Sequence, residues 1–252
     1  MTNSNGRTRP APPPDLLAGS SLFLDFDGTL VEIAERPDAV IVDERLRPLL
    51  ARLIARLDGR LAIISGRPVA EVAVMLGDMP LAIAGSHGME FRWSDGRSAP
   101  VERPDALADA LAAMRDYERR TPGTLVEDKP LGVALHYRGA PAAEAEARAL
   151  GAMLADRHGL HLQPGKMLVE VRAAGGDKGA ALGAFMQEPE MAGTYPVFAG
   201  DDTTDEPAFV TANMLGGAGI LIGEDRDSAA AYRLPGVPDM LAWLEQASGG
   251  AA

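Results

Sequence analysis

The stretch SLFLDFDGTL, residues 21–30, decides the fold that the rest of the chain implies. It starts as an apolar run typical of a buried strand and ends in Asp27-Gly28-Thr29, a turn signal. Further apolar runs at residues 61–64 and 81–84 alternate with segments of helical periodicity, such as residues 46–57. Strands that alternate with helices predict right-handed crossovers and therefore a parallel sheet.

The middle of the chain follows a different pattern. Helical segments at residues 105–120 and 142–158 are each followed by a hairpin signal, around Pro130-Leu131-Gly132 and around Pro164-Gly165. Helices combined with hairpins predict an α+β module, and after residue 173 the alternating pattern returns. The module is therefore predicted to be inserted into a doubly wound, Rossmann-like α/β domain.

These patterns divide the chain into three parts. The predicted core domain takes residues 21–103 and 173–252, and the inserted module takes residues 104–172. Residues 1–20 contain four prolines and no apolar signal-peptide region, so we expect a flexible lead-in.

Composition limits the partners of the protein. The 252 residues contain 36 acidic and 24 basic residues, which gives a formal net charge of −12. Broad nucleic-acid or anionic-membrane binding needs a basic surface, so neither partner is expected. The absence of cysteine excludes disulfides and zinc–thiolate sites. No apolar run reaches the ~18 residues of a spanning helix, and we expect a cytoplasmic protein.

Polar residues follow the predicted strands at the edge where open parallel sheets bind ligands. They come from four separate segments: Asp25 and Asp27; Ser65 and Arg67; Lys178; and Asp201, Asp202 and Asp205. Clustered carboxylates without His or Cys suit a hard cation such as Mg²⁺. A carboxylate can attack phosphorus, a second can move protons, and a hydroxyl and a lysine can hold phosphoryl oxygens.

In this order the four segments resemble the four motifs of the haloacid dehalogenase superfamily. The resemblance implies that Asp25 is the nucleophile and a Mg²⁺ ligand, and that Asp27 is the general acid/base with its backbone carbonyl on the metal. It implies that Ser65 and Lys178 bind the phosphoryl group and that Asp201 ligates Mg²⁺. Asp202 and Asp205 would support the metal or the lysine, whereas Arg67 would be structural or would stabilise phosphate. An acid at position 27 implies a phosphatase or a phosphomutase.

The inserted module is similar to the C2-type caps of sugar phosphatases, and its motifs resemble those of trehalose-6-phosphate phosphatases. The resemblance rests on Glu127-Asp128-Lys129, His136-Tyr137-Arg138, Gly165-Lys166 with Glu170, and the segment GSHGME at residues 85–90. It implies a phosphorylated disaccharide as substrate and a role in trehalose biosynthesis. The implied substrate-binding residues are Glu127, Lys129, Arg138, Lys166, Glu170 and His87. The sequence leaves the oligomeric state open.

Plainer interpretations stand beside these roles. Asp25 and Asp27 fit an ordinary strand-to-turn sequence, and residues 201–205 fit a cluster that caps a helix. Glu127 with Lys129, and Lys166 with Glu170, each fit an exposed salt bridge on one strand face, and His136 fits a packed or surface histidine.

Three alternative functions also remain open, and a fourth is disfavoured by the order of the motifs. One is a phosphatase for another sugar phosphate, such as sucrose phosphate or mannosyl phosphoglycerate, and another is a phosphomutase. A third is a module that binds a phosphosugar without catalysing a reaction. A phosphoacceptor signalling domain uses similar groups, but it places the paired acids first and carries no cap, unlike this chain.

Overall fold

The structure, a computed structural model, describes these residues: 9–34, 39–99 and 102–249. The chain divides into two compact units, of which the first comprises residues 1–99 and 176–252 and the second comprises residues 100–175. The boundaries expected from the sequence, 103/104 and 172/173, lie a few residues from these.

The described ranges contain the following strands: β1 (Ser20–Leu24), β2 (Leu61–Ile64), β3 (Ala82–Gly85), β4 (Glu90–Arg92), β5 (Leu125–Lys129), β6 (Gly132–His136), β7 (His161–Gly165), β8 (Leu168–Arg172), β9 (Tyr195–Gly200), β10 (Ala218–Ile222) and β11 (Tyr232–Leu234). They contain the following α-helices: α1 (Leu46–Arg56), α2 (Val69–Leu76), α3 (Ala106–Arg120), α4 (Glu144–His158), α5 (Lys178–Phe185), α6 (Glu206–Met214) and α7 (Val237–Ala247). None of these helices is long and apolar enough to cross a bilayer.

The first unit is built on a seven-stranded sheet in the order β11-β10-β9-β1-β2-β3-β4. Neighbouring strands are parallel except β3 and β4, which are antiparallel. The predicted doubly wound α/β fold is confirmed. The sequence analysis did not predict the edge strands β4 and β11, since three residues are too few to show a period of two.

Helices cover both faces of this sheet. Leu22 and Leu24 of β1 pack in one core with residues of α1, α2 and α7, whereas Phe23 packs in a second core with residues of α5 and α6. The alternation of strand side chains between two faces accounts for this division. Because β1 lies between β2 and β9 and helices cover both faces of the sheet, all five of its residues are buried.

The start of the described chain is attached to this unit, in contrast to the flexible lead-in expected for residues 1–20. Pro14–Leu17 form a 3₁₀ helix, and Leu17 is buried in the core that contains α1 and α7. The N–H of Arg233 in β11 donates to the carbonyl oxygen of Pro10 (3.0 Å). Prolines lack N–H donors but keep their carbonyl acceptors, so a proline-rich segment can still pair with a sheet edge. Residues 1–8 lie outside the described residues.

The second unit is a four-stranded antiparallel sheet in the order β5-β6-β8-β7, together with α3 and α4. Its own core contains Met114 of α3, Leu154 of α4, and Leu135 and Val171 of the sheet. Side chains that alternate with these strand residues, such as His136 and Glu170, belong to the opposite, polar face of the sheet.

The second hairpin of this unit turns later than expected. Pro164 and Gly165, predicted as the turn, belong to β7, and the chain reverses at Lys166 and Met167. Met167 adopts the left-handed conformation, with φ of +64°. The register of β8 has to bury Val169 and Val171, and this requirement outweighs the local preference of Pro-Gly for a turn.

Candidate active site

Asp25 lies at the carboxyl end of the central strand β1. Its backbone N–H donates to the carbonyl oxygen of Ala199 on β9 (2.9 Å), so the residue is still held by the sheet. The chain then turns through Gly28, whose φ of +80° suits glycine because it has no Cβ. The carboxylate of Asp25 is thereby fixed at the edge where parallel sheets place their ligands.

Lys178, the first residue of α5, connects two acidic side chains. Its Nζ donates to Oδ1 of Asp25 (2.7 Å) and to Oδ1 of Asp205 (2.6 Å). The side chain is only 3 % exposed. Asp177 caps α5 by accepting from the N–H of Ala180 (2.8 Å), and this cap fixes where the helix, and therefore the lysine, begins.

The acidic turn, residues 201–205, follows β9 directly. Asp202 and Asp205 form a capping box, in which Asp202 accepts from the N–H of Thr203 (2.6 Å) and Asp205 accepts from the N–H of Asp202 (2.9 Å). Gly200 allows this fold, since a Cβ there would lie 2.3 Å from Cγ of Asp205. The helix-capping interpretation is therefore correct for the 3₁₀ turn Thr203–Asp205, which Asp202 caps. Asp205 directly precedes α6 but makes no side-chain hydrogen bond that caps this helix, and it holds Lys178 instead.

The site carries more negative charge than its lysine neutralises. Carboxylate oxygens of Asp25, Asp201 and Asp205 lie within 4.8 Å of one another. Burial and the charge of Asp205 raise the pKa of Asp201 to about 7. Burial also raises the pKa of Asp25 well above its usual value, although Lys178 opposes that shift.

Lys178 itself remains protonated. Burial acts to lower its pKa, but the charges of Asp205 and Asp25 outweigh burial and raise it. Asp25 and Asp201 are costly to ionise even beside the charged Lys178, so the binding of a further cation would stabilise their ionised forms. The donors are hard oxygen atoms without nitrogen or sulfur, which fits Mg²⁺.

Asp27 lies apart from this cluster and pairs with Arg67. The guanidinium donates from Nε to Oδ2 (2.6 Å) and from Nη2 to Oδ1 (2.8 Å) of Asp27. Such a bidentate pair fixes the orientation of the carboxylate as well as its position. Of the two roles expected for Arg67, this contact supports the structural one.

Ser65 and His87 come together beyond β2 and β3. Ser65 is buried, and its carbonyl oxygen accepts from the N–H of His87 (2.9 Å). The imidazole of His87 lies so close to Gly66 that a Cβ there would be 2.7 Å from its Cε1. Glu90 anchors this turn by accepting from the N–H of Val69 (2.7 Å) and the hydroxyl of Ser86 (3.0 Å).

The polar sheet face of the second unit brings three of the expected substrate residues together. Lys129 donates to Glu170 (2.7 Å) and lies 3.9 Å from Glu127, and Glu127 is hydrogen-bonded to His136 (2.8 Å). Of the two exposed salt bridges considered above, that of Glu127 with Lys129 forms but is partly buried. That of Lys166 with Glu170 does not form between these two described residues. Lys129 pairs across the sheet with Glu170, whose side chain is 6 % exposed, and Lys166 lies in the turn beyond β7.

Arg138 and Lys166 remain outside this network. Neither forms a hydrogen bond or an ion pair within the part of the chain that the structure describes, and Lys166 is exposed. Both are cations that pair with no carboxylate in the ranges 9–34, 39–99 and 102–249, which leaves them available there to an anionic or hydroxylated ligand.

One contact at the acidic turn was not anticipated. Arg226 donates to the carbonyl oxygen of Asp202 (2.7 Å) and contacts the carboxylate of Glu206. The sequence carried no signal for it, because no local pattern places residue 226 beside residue 202.

Comparison with known proteins identifies the chains that this one resembles. The sequence profile of the family described as Trehalose-phosphatase matches residues 23–238. The chain is 40% identical over 234 residues to the trehalose-6-phosphate phosphatase of Escherichia coli K12, covering 92% of this chain and 88% of that protein. It is 41% identical over 211 residues to a probable trehalose-phosphate phosphatase of Sinorhizobium fredii, covering 81% and 77%.

Solved structures show the same architecture. The C-terminal domain of the C. albicans trehalose-6-phosphate phosphatase superposes with a TM-score of 0.85 at 22% identity, over 98% of this chain and all of that one. A protein described as related to trehalose-6-phosphate phosphatase superposes with a TM-score of 0.77 at 26% identity, over 90% of this chain and 96% of that one.

Proposed function

The chain belongs to the trehalose-phosphatase family, and from this membership we propose that it hydrolyses trehalose 6-phosphate to trehalose and phosphate with Mg²⁺, through an aspartyl phosphate. The resemblance inferred from the motifs is confirmed, and the enzyme class is that of a phosphoric monoester hydrolase. The observation that carries the proposal is the buried Lys178, which joins Asp25 to the acidic turn.

In the first step, an oxygen of Asp25 forms a bond to phosphorus while the bond from phosphorus to the sugar oxygen breaks. Asp27 gives a proton to the leaving sugar oxygen. Lys178 and Ser65 hold phosphoryl oxygens as charge moves in the transition state. The buried position of Asp25 supports its role as nucleophile, since little water surrounds it.

In the second step, Asp27 accepts a proton from a water molecule whose oxygen attacks phosphorus. The bond between phosphorus and Asp25 then breaks, and phosphate leaves. Both oxygens of Asp27 accept one hydrogen bond from Arg67 in the structure, and each keeps a second lone pair that can take up a proton.

Mg²⁺ would be held by Asp25 and Asp201, with the backbone carbonyl of Asp27, and Asp202 and Asp205 in support. When bound, it supplies positive charge that offsets the repulsion between carboxylates and phosphate. The raised pKa of Asp201, about 7, supports this assignment, because an acid that is costly to ionise gains most from a cation.

The polar sheet face of the second unit would recognise the sugar. Charged donors and acceptors can bind sugar hydroxyls in pairs, and such contacts discriminate strongly against ligands that lack a hydroxyl. Glu127, Lys129 and Glu170 provide this combination, and Arg138 and Lys166 add two cations that pair with no carboxylate among the described residues. His87, beside Ser65, is a further proposed substrate-binding residue. A cytoplasmic location stays a prediction.

The test is phosphate release by the purified protein with Mg²⁺ from a panel that includes trehalose 6-phosphate, sucrose phosphate and mannosyl phosphoglycerate. We expect a strong preference for trehalose 6-phosphate. We expect Asp25→Asn to abolish turnover and Asp27→Asn to lower kcat by roughly 10²–10⁴, the usual contribution of a general acid/base.

The outcomes separate the parts of the proposal. Release from another sugar phosphate would retain the mechanism and overturn the substrate. A fully active Asp25→Asn variant would overturn the mechanism. Binding without release of phosphate from any substrate would favour the binding module, and isomerised sugar phosphate would favour a mutase.

A further inference from the structure

The irregular loop between β10 and β11, residues 223–231, contacts the acidic turn from outside the sheet. Arg226 of this loop donates from Nη2 to the carbonyl oxygens of Asp202 (2.7 Å) and Asp201 (3.4 Å). Its Nη1 contacts the carboxylate of Glu206, which also accepts from the N–H of Ala229 (2.9 Å). The loop and the start of α6 are therefore joined by side-chain and backbone contacts.

The acidic turn needs positive charge on both sides. Asp201, Asp202, Asp205 and Glu206 place four carboxylates within six residues. Lys178 supplies a cation on the buried side, where it bonds to Asp205. Arg226 supplies a cation on the side of the loop, and it binds backbone carbonyl oxygens rather than a metal-binding carboxylate. Arg226 therefore acts on the position of the turn.

Arg9 holds the same loop in place. It donates from Nε to the carbonyl oxygen of Ala230 (2.8 Å), from Nη1 to that of Arg226 (2.9 Å) and from Nη2 to that of Ser228 (2.7 Å). Its guanidinium also contacts the carboxylate of Asp225. One side chain near the start of the chain thus satisfies three carbonyl groups of a loop that has no regular structure.

We propose that Arg9 and Arg226 are positioning residues that hold the acidic turn ready to bind Mg²⁺. Arg9 orders the loop, and Arg226 connects the ordered loop to the backbone of Asp201 and Asp202. This inference rests on the proposed function, because it concerns the metal that the acidic turn would hold. It also gives a role to Arg9, which lies in the segment that the sequence predicted to be a flexible lead-in.

The effect follows from preorganisation. A turn that is already in place loses less conformational freedom when it binds an ion, and a turn that is in place only part of the time binds with an apparent affinity reduced by that fraction. Loss of either arginine should therefore raise the Mg²⁺ concentration that gives half-maximal activity. The rate at saturating Mg²⁺ should change little, because neither side chain contacts the reacting atoms.

The experiment compares Arg226→Ala, Arg226→Lys and Arg9→Ala with the unchanged full-length protein. We expect Arg226→Ala to raise the Mg²⁺ concentration for half-maximal activity roughly tenfold. This is the change in affinity expected when one hydrogen bond from a charged group no longer holds the turn. Arg9→Ala should raise it roughly threefold, and Arg226→Lys should lie between Arg226→Ala and the unchanged protein. The kcat at saturating Mg²⁺ should stay within about threefold.

A second readout needs no substrate. Metal-free protein is titrated with Mg²⁺, and the rise in Tm is followed, since a ligand that binds only the folded state stabilises it according to its affinity. The Mg²⁺ concentration for half of the rise should shift by the same factors as in the activity measurement.

Arg92→Ala is the matched control. Arg92 holds a loop in the same manner, through the carboxylate of Asp78 (2.6 Å) and the carbonyl oxygen of Met79 (3.1 Å), but it lies on β4 at the opposite edge of the sheet. Its Mg²⁺ dependence should equal that of the unchanged protein.

An unchanged Mg²⁺ dependence in folded Arg226→Ala or Arg226→Lys would overturn the positioning role, as would an equal shift in Arg92→Ala. If the Arg226 variants do not fold, Arg9→Ala decides on its own. An unchanged protein whose activity and Tm do not respond to Mg²⁺ would overturn the metal assignment in the proposed function, and the inference with it.

Discussion

Lys178 is a charged side chain in a place where charge is costly. An ammonium group that is 3 % exposed is tolerated only with close partners, and Asp25 and Asp205 provide them at 2.7 and 2.6 Å. Removing one partner of such a group generally costs more than the pair contributes, because the remaining charge stays buried. The lysine therefore ties the nucleophile to the acidic turn and makes the two depend on each other.

In the second unit, Lys129 is also a largely buried lysine that pairs with a carboxylate, that of Glu170. It allows a test of substrate recognition. We expect Lys129→Ala to lower kcat/KM for trehalose 6-phosphate roughly 10²-fold, because a site that binds hydroxyls through charged groups loses much when one is removed. Hydrolysis of a small aryl phosphate should stay within about threefold, because that substrate lacks the sugar. Steady-state kinetics on both substrates make the comparison.

Arg119→Ala is the control for this prediction. It removes one positive charge from the same unit, but Arg119 is exposed on α3 and pairs with Asp116 three residues earlier. Equal losses on both substrates in Lys129→Ala would contradict the role in sugar recognition.

At the scale of elements, the glycines that flank β1 show how the surroundings of a turn decide its tolerance to a side chain. Gly19 precedes the strand with φ of +75°, and Gly28 follows it with φ of +80°. A Cβ on Gly19 would meet nothing within 4 Å, whereas a Cβ on Gly28 would lie 2.2 Å from Oδ2 of Asp201. The two glycines share a backbone conformation and differ in the space around them.

This difference predicts different outcomes for the same substitution. Gly19→Ala should cost only the strain of a left-handed alanine, about 1 kcal/mol, with unchanged kinetics. Gly28→Ala should in addition displace the carboxylate of Asp201, so that turnover falls at least about 10²-fold and the Mg²⁺ requirement rises. Thermal unfolding and Mg²⁺-dependent kinetics measure the two effects separately, and equal kinetics in both variants would show that the close approach to Asp201 is unimportant.

The turn after β3 shows how an element can hold backbone strain at a site. Ser86 and His87 are both left-handed, with φ of +49° and +57°, although neither is glycine. Such conformations persist only where the surroundings enforce them. Here Glu90 holds the turn, because its carboxylate accepts from the N–H of Val69 and from the hydroxyl of Ser86. As a result, His87 lies against Gly66, next to Ser65.

At the scale of the whole molecule, each unit has a hydrophobic core of its own. Leu50 is fully buried in the first unit, and Leu135 is fully buried in the second. Replacement of a buried leucine by alanine costs about 2–5 kcal/mol, because apolar contacts are lost and a cavity remains.

Two separate cores predict two separable unfolding transitions in the full-length protein. Leu135→Ala should lower the temperature of one transition and Leu50→Ala that of the other, as measured by calorimetry. Activity toward a small aryl phosphate should be lost on heating with the transition that Leu50→Ala shifts. A single transition that both variants shift equally would mean that the units unfold together.

Much of the architecture was determined by the sequence alone, and so was the choice of candidate site residues. The alternation of apolar runs with helical periodicity predicted the doubly wound sheet, because periodicity is a local property of each element. Asp25, Ser65 and Asp201 were singled out from the sequence because residues at the carboxyl ends of parallel strands meet at one edge, and Lys178 because of its place in the order of the four motifs. Their catalytic and metal-binding roles stay predictions.

The tertiary structure decided the pairings between distant residues. The bonds from Arg67 to Asp27, from Lys129 to Glu170 and from Arg226 to Asp202 join residues 24 to 41 positions apart in the chain. The contacts of Arg9 span more than 200 positions. A pattern in the sequence describes an element by its neighbours along the chain, whereas these contacts depend on how finished elements pack, and the turn at Met167 likewise follows from the register that buries Val169 and Val171.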